Sequence, residues 1–507
     1  MAGDGTRAGD GARGERVAIV GAGLAGCLLA VLLGRRGIGV TVYERRPDPR
    51  VAGAERGRSI NLAISARGLA ALEQVGLRDQ ALKRALPMHG RMVHPLGGAR
   101  NFQPYSADGE RAINSISRAE LNGALLDTAE ATPGVTLRFS QRVTGVDPAA
   151  GTITLLENAP DANGEPGAEA PDGDQGRTVT ERADVVLAGD GAYSAIRRSL
   201  GLDGDTDFLE HGYKELTVPP RDGDFALDPD ALHIWPRGSA MMIALPNLDR
   251  SFTCTLFWPK EDFAALDTPA KVTAFFAERY PDVAGLMPDL TEDFARNPVG
   301  SLVTVRAWPW TRYGDGAIVA LLGDAAHAIV PFFGQGANCA FEDCVEIDRC
   351  LTETGGRWER ALSLYQERRK ANTDAIAEMA LDNFVEMRDR VSSPVYRTVK
   401  AAQHALERRL AGRYVSRYEL VSFSTLPYAE IPARLRRQNA ALAAALAAAA
   451  LTAAGLARTL RNRTRRPVPS LPRTPPAATG ARYRPCRRPC DPRAACAPCP
   501  SRPACPR

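Results

Sequence analysis

Val17-Ala18-Ile19-Val20-Gly21-Ala22-Gly23-Leu24-Ala25-Gly26 runs from a short apolar strand pattern straight into three glycines, and its reading decides the fold. Four consecutive apolar residues suit a strand covered on both faces of a parallel sheet. The apolar run Cys27–Leu33 predicts a helix ending at Arg35-Arg36-Gly37, and the next strand, Gly39–Tyr43, ends on Glu44. In such a unit the glycines permit a tight turn and a close backbone approach, and the free N–H groups at the helix start face a pyrophosphate. Glu44 stands where an acid accepts hydrogen bonds from an adenosine ribose. An acid there disfavours the 2′-phosphate of NADP, so the pattern predicts FAD or NAD. A glycine-rich turn without a ligand is the bland alternative; the order strand, glycines, helix, strand, acid argues against it.

A second signal comes about 300 residues later, in Leu321-Leu322-Gly323-Asp324-Ala325-Ala326-His327 and Pro331-Phe332-Phe333-Gly334-Gln335-Gly336-Ala337-Asn338. A distant Gly-Asp followed by a Pro-aromatic-Gly-x-Gly turn brings the chain back to close over a flavin. Between the two, Val185-Val186-Leu187-Ala188 enters Gly189-Asp190-Gly191, with a helix expected from Ser194.

Around these signals, a helix is expected from Ala66 to Val75, and Ser117 with Glu120 forms a capping box. Val135–Phe139, Thr152–Leu156 and Thr178–Glu181 read as hairpin strands, with a solvated insertion at 158–176. Ala231–Trp235, Ala240–Leu245 and Phe252–Trp258 alternate as an antiparallel sheet does. The fold expected is α/β: a Rossmann-like FAD-binding domain, an antiparallel-sheet substrate domain and a C-terminal helical region. The expected division assigns 1–14 to a disordered lead-in, and 15–75, 106–210 and 305–345 to the discontinuous FAD-binding domain. It gives 76–105 and 211–304 to the substrate domain, 346–460 to the helical region and 461–507 to a disordered tail.

Charge follows the same partition. The formal charge of +5 is the difference between +15 carried from Ile431 onward and −10 carried by the first 430 residues. The body is acidic and nothing in it suggests a nucleic-acid surface. Cys27, Cys254, Cys339, Cys344 and Cys350 lie in apolar or helical context, as expected of reduced thiols in a cytoplasmic protein. Cys486, Cys490, Cys496, Cys499 and Cys505 crowd into an Arg- and Pro-rich tail, where interleaved prolines and the lack of histidine argue against zinc. No metal site is expected. Gln438–Ala457 is almost all Ala and Leu; because alanine drives insertion poorly, a docked helix is expected there and not a membrane span.

Taken together, the motifs resemble those of the single-component flavin aromatic hydroxylases. Gly90–His94, Gln103-Pro104-Tyr105, His211–Leu216, Leu232–Pro236, Leu245–Phe252 and Leu381–Arg388 narrow the resemblance to the kynurenine 3-monooxygenases, over nearly the whole body from Val17 to Tyr428. The resemblance implies noncovalent FAD with NADPH and O2 as co-substrates. It places cofactor contacts on Gly21, Gly23, Ala25 and Gly26, on Tyr43, Glu44, Arg45 and Arg46, and on Ala63, Arg118 and Val143. It adds Ala195, Asp324, Ala337 and Asn338. Arg118 is suited to phosphate and Asp324 to a ribitol hydroxyl. Substrate contacts fall on Arg91, Tyr105, Asn383 and Tyr418: a guanidinium gives a carboxylate the bidentate partner that lysine cannot. For Arg91 alone, a surface ion pair is the competing reading.

The implied reaction is hydroxylation of L-kynurenine to 3-hydroxy-L-kynurenine through a flavin C4a-hydroperoxide, with no side-chain acid or base assigned. His327 is expected to be structural or flavin-orienting. Another aromatic substrate, phenol- or anthranilate-like, is the alternative, and a flavoprotein without turnover a third reading. A homodimer is compatible with the sequence.

Overall fold

The computed structural model describes residues 15–52, 61–157, 176–202, 206–391, 393–410 and 412–464. The expected lead-in, most of the 158–176 insertion and nearly all of the Cys-rich tail lie outside them.

Val17–Val20, buried along its whole length, sits near the centre of a six-stranded sheet. Across that sheet the order is Thr311–Tyr313, Ile318–Leu321, Val185–Ala188, Val17–Val20, Val40–Tyr43, Val135–Arg138. All neighbours are parallel except the Thr311–Tyr313 edge. The chain leaves Val17–Val20 to one side through the Leu24–Arg35 helix, and the Val185 strand lies on the other side. That arrangement opens a crevice at the carboxyl ends of the two strands, where such sheets bind ligands.

Val135–Arg138 corrects a sequence expectation. It is not in a hairpin; it pairs in parallel with Val40–Tyr43, from Val135 opposite Val40 to Arg138 opposite Tyr43. The Arg118–Glu130 helix carries the chain back over the sheet before it, so the return strand runs the same way. The meander is made instead by Gln141–Asp147, Thr152–Glu157 and Arg177–Arg182. Alternation alone cannot say which sheet a strand joins.

The second sheet has seven strands in the order Gly300–Val305, Thr206–Val218, Phe252–Pro259, Ala240–Pro246, Ala231–Arg237, Gly90–Val93, Asn101–Pro104. It is mixed and not purely antiparallel, because Gly90–Val93 runs parallel to Ala231–Arg237. The expected boundary at 210 falls inside Thr206–Val218, that at 305 inside the Gly300–Val305 strand, and that at 345 inside the Gly336–Glu353 helix. Side chains alternate between two cores. Trp235, Met242 and Leu256 pack with Phe263, Phe276 and Tyr280 on one face. Ile234, Met241 and Phe257 pack with Phe332, Phe333 and Phe384 on the other.

The Trp358–Val385 helix joins the halves. Its start, with Trp358, Leu362 and Tyr365, belongs to the cofactor-side core, and its end, with Ile376, Met379 and Phe384, to the second sheet's inner core. At the C-terminus, Ile431–Thr464 is a single helix, within which contacts divide the chain between Leu442 and Ala443. Leu446, Leu451 and Leu456 are exposed along it. Its many alanines hold it helical by propensity. By length and composition this helix is able to cross a membrane.

The outer face of the second sheet holds a buried polar network. His233 Nε2 lies 2.8 Å from the Asp228 carbonyl and can only donate there, which leaves Nδ1 to accept from His94 Nε2 at 2.8 Å. His94 Nδ1 meets Asp282 Oδ2 at 2.7 Å, and Trp235 donates to the same oxygen at 3.0 Å. Burial lowers the His233 pKa to about 4. Its folded value lies below the unfolded value of ~6.5, so between the two the unfolded chain binds more protons and stability falls with pH. We expect a loss of about 2 kcal/mol by pH 5 from this residue. Urea unfolding at pH 7.5 and pH 5 checks it: His233→Asn should flatten the acid limb, and an unchanged limb would place its origin elsewhere.

Candidate active site

Three segments far apart in sequence meet at the crevice. In the first glycine turn, Gly21 has φ +99° and donates to the Tyr43 carbonyl at 2.7 Å. A Cβ on Gly21 would lie 2.6 Å from the Gly189 carbonyl oxygen, and one on Gly26 only 1.9 Å from that of Gly21. No other residue fits either position. At Gly23, which caps the Leu24–Arg35 helix, a Cβ would meet nothing within 4 Å. The turn is therefore closed toward the protein and open at the helix N-terminus. Glu44, buried, accepts from the Ala22 amide at 2.9 Å and from the Arg46 amide and Nε, each at 3.1 Å. It fixes the turn itself, and Arg46 stays exposed beside it.

The second segment is the Asp-Gly turn. Asp190 Oδ2 accepts from the Ile196 amide at 3.2 Å, while Oδ1 is buried without a partner and burial pushes the carboxyl up. Ser194 caps the short Ala195–Ser199 helix. Arg197 then donates to the Ala192 carbonyl at 2.7 Å and to the Ala325 carbonyl at 2.9 Å, which ties this turn to the Gly-Asp motif.

In the third segment Gly323 has φ +56°, and a Cβ there would come within 3.9 Å of that of Ala25. The Gly-Asp motif therefore stands against the first turn. Asp324 is exposed at the start of one helical turn, Asp324–His327. His327 and the Gly323 amide both bond Asp343 Oδ2, the amide at 2.9 Å; Arg369 Nε holds Oδ1 at 2.8 Å. Burial alone would raise the Asp343 carboxyl, yet His327 and Arg369 hold it below the usual carboxylate range. His327 is thereby a fixture of the scaffold, as expected.

The Pro331–Phe333 turn ends on left-handed Gly334, and the Gly336–Glu353 helix follows. Asn338 is wholly buried, and its side chain is spent on the protein. Oδ1 accepts from the Ser65 amide at 3.0 Å, and Nδ2 donates to the Ala63 and Gly334 carbonyls at 2.9 and 2.7 Å. A ligand contact at Ala337-Asn338 thus falls to the backbone, at a helix start where a Cβ on Gly336 would meet nothing within 4 Å.

The other cofactor-side residues are dispersed. Tyr43 donates its hydroxyl to Glu181 at 2.8 Å, and Arg138 completes that cluster. Arg45 is half-buried, and Arg118 is exposed in the first turn of its helix without an ion-pair partner among the described residues. Ser117 does accept from the Glu120 amide, at 3.4 Å. Val143 is core, in the meander strand. The crevice fits FAD through open backbone donors at two helix starts, at Gly23 and Gly336, with the exposed Asp324 carboxylate in the motif that stands against the first turn.

The inner core of the second sheet places three of the four substrate-side residues together. Arg91 is buried, with its guanidinium carbon 4.7 Å from the Tyr418 ring centre and 5.7 Å from that of Tyr105. The two tyrosine rings stack at 4.7 Å, and Phe333 stacks on Tyr418 at 5.6 Å. Arg91 Nε and the Tyr105 hydroxyl are buried without hydrogen-bond partners among the described residues. Two such donors beside stacked rings suit an acceptor. The Arg91 guanidinium stays charged; burial works against it, and the Tyr418, Tyr105 and Tyr396 phenols and Glu386 outweigh that.

Asn383 is placed differently from expectation. Its amide donates to the Phe332 carbonyl at 2.6 Å and to Met387 Sδ at 3.3 Å, so it fastens the Pro331–Phe333 turn instead of offering free donors. Glu386 had not been singled out. It lies one helical turn on from Asn383, where Oε1 stands 3.8 Å from Arg91 Nη1 and 3.6 Å from Lys400 Nζ and accepts from the Tyr396 hydroxyl. Burial would raise its carboxyl, but Lys400 and Arg91 hold it low. The i, i+3 spacing from Asn383 is the signal that could have found it.

The comparisons agree with this geometry. The family described as "FAD binding domain" matches residues 15–380. The fold is that of FAD-binding aromatic hydroxylases. The 2-methyl-3-hydroxypyridine-5-carboxylic acid oxygenase structure superposes with TM-score 0.59 at 22% identity, over 80% of this chain and 100% of that one. PqsL from Pseudomonas aeruginosa, in complex with 2-aminobenzoylacetate, gives 0.58 at 22%, over 75% and 98%. A kynurenine 3-monooxygenase of Myxococcus xanthus is 50% identical over 82% of this chain and 88% of its own length. One from Dictyostelium discoideum is 44% identical over 82% and 89%. The chain belongs to the kynurenine 3-monooxygenase family of FAD-dependent enzymes.

Proposed function

We propose that this enzyme hydroxylates L-kynurenine at the ring carbon ortho to the arylamine, giving 3-hydroxy-L-kynurenine, with FAD held noncovalently and NADPH and O2 consumed. The observation that carries the reading is a pair of buried donors, Arg91 Nε and the Tyr105 hydroxyl, with no hydrogen-bond partner among the described residues, beside the stacked Tyr105 and Tyr418 rings. A substrate with a carboxylate head and an aromatic body satisfies both the donors and the box. A plain phenol would leave Arg91 Nε without an acceptor.

Bound FAD would supply the redox chemistry, hydride acceptance from NADPH and activation of O2, with one oxygen atom ending on the ring and the other in water. The chain's own residues bind and orient. Gly23, Ala25 and the Ala337-Asn338 backbone meet the cofactor with N–H groups, Arg118 meets phosphate, and Asp324 accepts a hydroxyl. Arg91 and Tyr105 hold the substrate carboxylate, and Glu386 steadies the guanidinium. Phe333 lies between the glycine-rich turn and Tyr418, where it separates cofactor from substrate and excludes water. The arylamine lone pair activates the ring, so no side-chain base is assigned. A reducing, cytoplasmic setting goes with this reading: the five described cysteines are free and buried.

The test is rapid-mixing reduction of the yellow protein by NADPH, with and without L-kynurenine, followed by product identification. Kynurenine should accelerate flavin reduction and yield the 3-hydroxy product. If reduction is indifferent to kynurenine, or another aromatic amine such as anthranilate is the one hydroxylated, the specific reading falls.

A further inference from the structure

Arg67 is fully buried, and nothing in its sequence context, Ile64-Ser65-Ala66-Arg67-Gly68, marks it. It sits in the first turn of the Ala66–Gln74 helix, directly after Ser65, whose amide Asn338 holds. Its guanidinium reaches across to the chain that carries Tyr418. Nε donates to the Val421 carbonyl at 3.1 Å, and Nη2 donates to the Leu420 carbonyl at 3.4 Å and to that of Leu426. The Tyr428 ring lies beneath the guanidinium at 3.8 Å. On its other side Nη1 pairs with Glu342 at 2.7 Å. Glu342 also pairs with Arg369 at 2.9 Å, and Arg369 holds Asp343, the residue that anchors the Gly323 amide and His327. Tyr428 adds a parallel tie, its hydroxyl donating to Gln335 of the glycine-rich turn at 2.8 Å.

We propose that Arg67 is the positioning residue that registers the Tyr418 wall of the substrate pocket against the flavin turn, through the carbonyls of Leu420, Val421 and Leu426. This rests on the kynurenine reading for its substrate and on geometry alone for its mechanics. Three backbone carbonyls converging on one buried cation are a use of arginine that lysine cannot reproduce, because an ammonium cannot fork to three directions in a plane. Glu419 of the same segment also pairs with Arg111, a contact between side chains, whereas Arg67 holds the backbone of the segment itself. Tyr418 stacks against both Tyr105 and Phe333, so a wall that slips opens the box on the cofactor side.

The experiment compares Arg67→Lys with the wild-type holoenzyme. Lysine keeps the charge for Glu342, so the variant should retain FAD. The KM for L-kynurenine should rise about tenfold, the equivalent of one lost charge-assisted hydrogen bond, with kcat changed far less. Part of the NADPH oxidised should no longer appear as hydroxylated product. Amide hydrogen exchange, which needs no substrate, should speed up in 418–428 and stay unchanged in Leu24–Arg35. Tyr428→Phe, which keeps Arg67, should move both readouts the same way by less. Wild-type exchange at 418–428 in a flavin-loaded Arg67→Lys protein would overturn the proposal, and so would loss of FAD, which would make Arg67 part of the cofactor site. If the wild-type enzyme proves indifferent to kynurenine while the exchange result holds, the substrate reading falls and the positioning role stands.

Discussion

Replacing Arg91 with alanine leaves the protein yellow and raises the KM for L-kynurenine by about 10²- to 10³-fold, the cost of removing one partner from a desolvated charge pair. The guanidinium is buried on Gly90–Val93, the strand between Ala231–Arg237 and the Asn101–Pro104 edge, so its removal leaves the carboxylate of the substrate without a partner in a dry site. Arg91→Lys recovers only part of the loss, because a point charge cannot match both carboxylate oxygens. FAD binding is untouched, since none of the three cofactor segments contacts Arg91. Flavin absorbance, titration of kynurenine-stimulated NADPH oxidation and the Michaelis constant measure the three statements separately. An unchanged KM in a flavin-loaded variant would remove Arg91 from the site.

Asp343→Ala has the opposite signature: the loss is in the cofactor. Asp343 is fully buried and has three partners, the Gly323 amide, His327 and Arg369. Its removal leaves Arg369 Nε and the buried Gly323 amide without their acceptor, while Glu342 still pairs with the guanidinium, a cost of about 1–3 kcal/mol per unsatisfied donor. Gly323 then loses the bond that fixes its left-handed conformation beside Ala25, and FAD should dissociate in gel filtration while the second sheet survives. The pH dependence has a definite sign. The folded carboxyl is held below its unfolded value of ~3.9, so its stabilisation is present above that value and is lost as pH falls through the lower folded value. Acid should therefore release FAD from the wild type more steeply than from Asp343→Ala, which has no carboxylate to protonate. Equal acid sensitivity would assign the clamp to other groups.

Some of this was legible in the sequence because the physics is local. Glycines at 21 and 26 are required by a turn, and their neighbours in sequence build it. The strand Val17–Val20 reads as doubly covered because it is. The resemblance carried Arg91, Tyr105 and Tyr418 to one site, and the structure brings these three into contact. Other readings depended on which surfaces meet. The Asn338 and Asn383 side-chain amides each donate to backbone carbonyls of a distant segment, Ala63 and Phe332, which no local pattern announces. Val135–Arg138 alternates as a hairpin strand would and joins the parallel sheet because of where a helix delivers it.

By itself, then, the sequence determined the chemistry: a dinucleotide turn and a distant Gly-Asp are set by residue type and short spacing, and the resemblance supplied an arginine with two tyrosines. Only the tertiary structure decided which polar groups remain available. Whether Asn383 offers its amide, whether Glu386 faces Arg91, and whether Arg67 is surface or core depend on contacts across 50 to 350 residues. A hydrogen bond formed at that separation leaves no trace in local periodicity. A buried donor's partner is fixed only when the chain has closed around it.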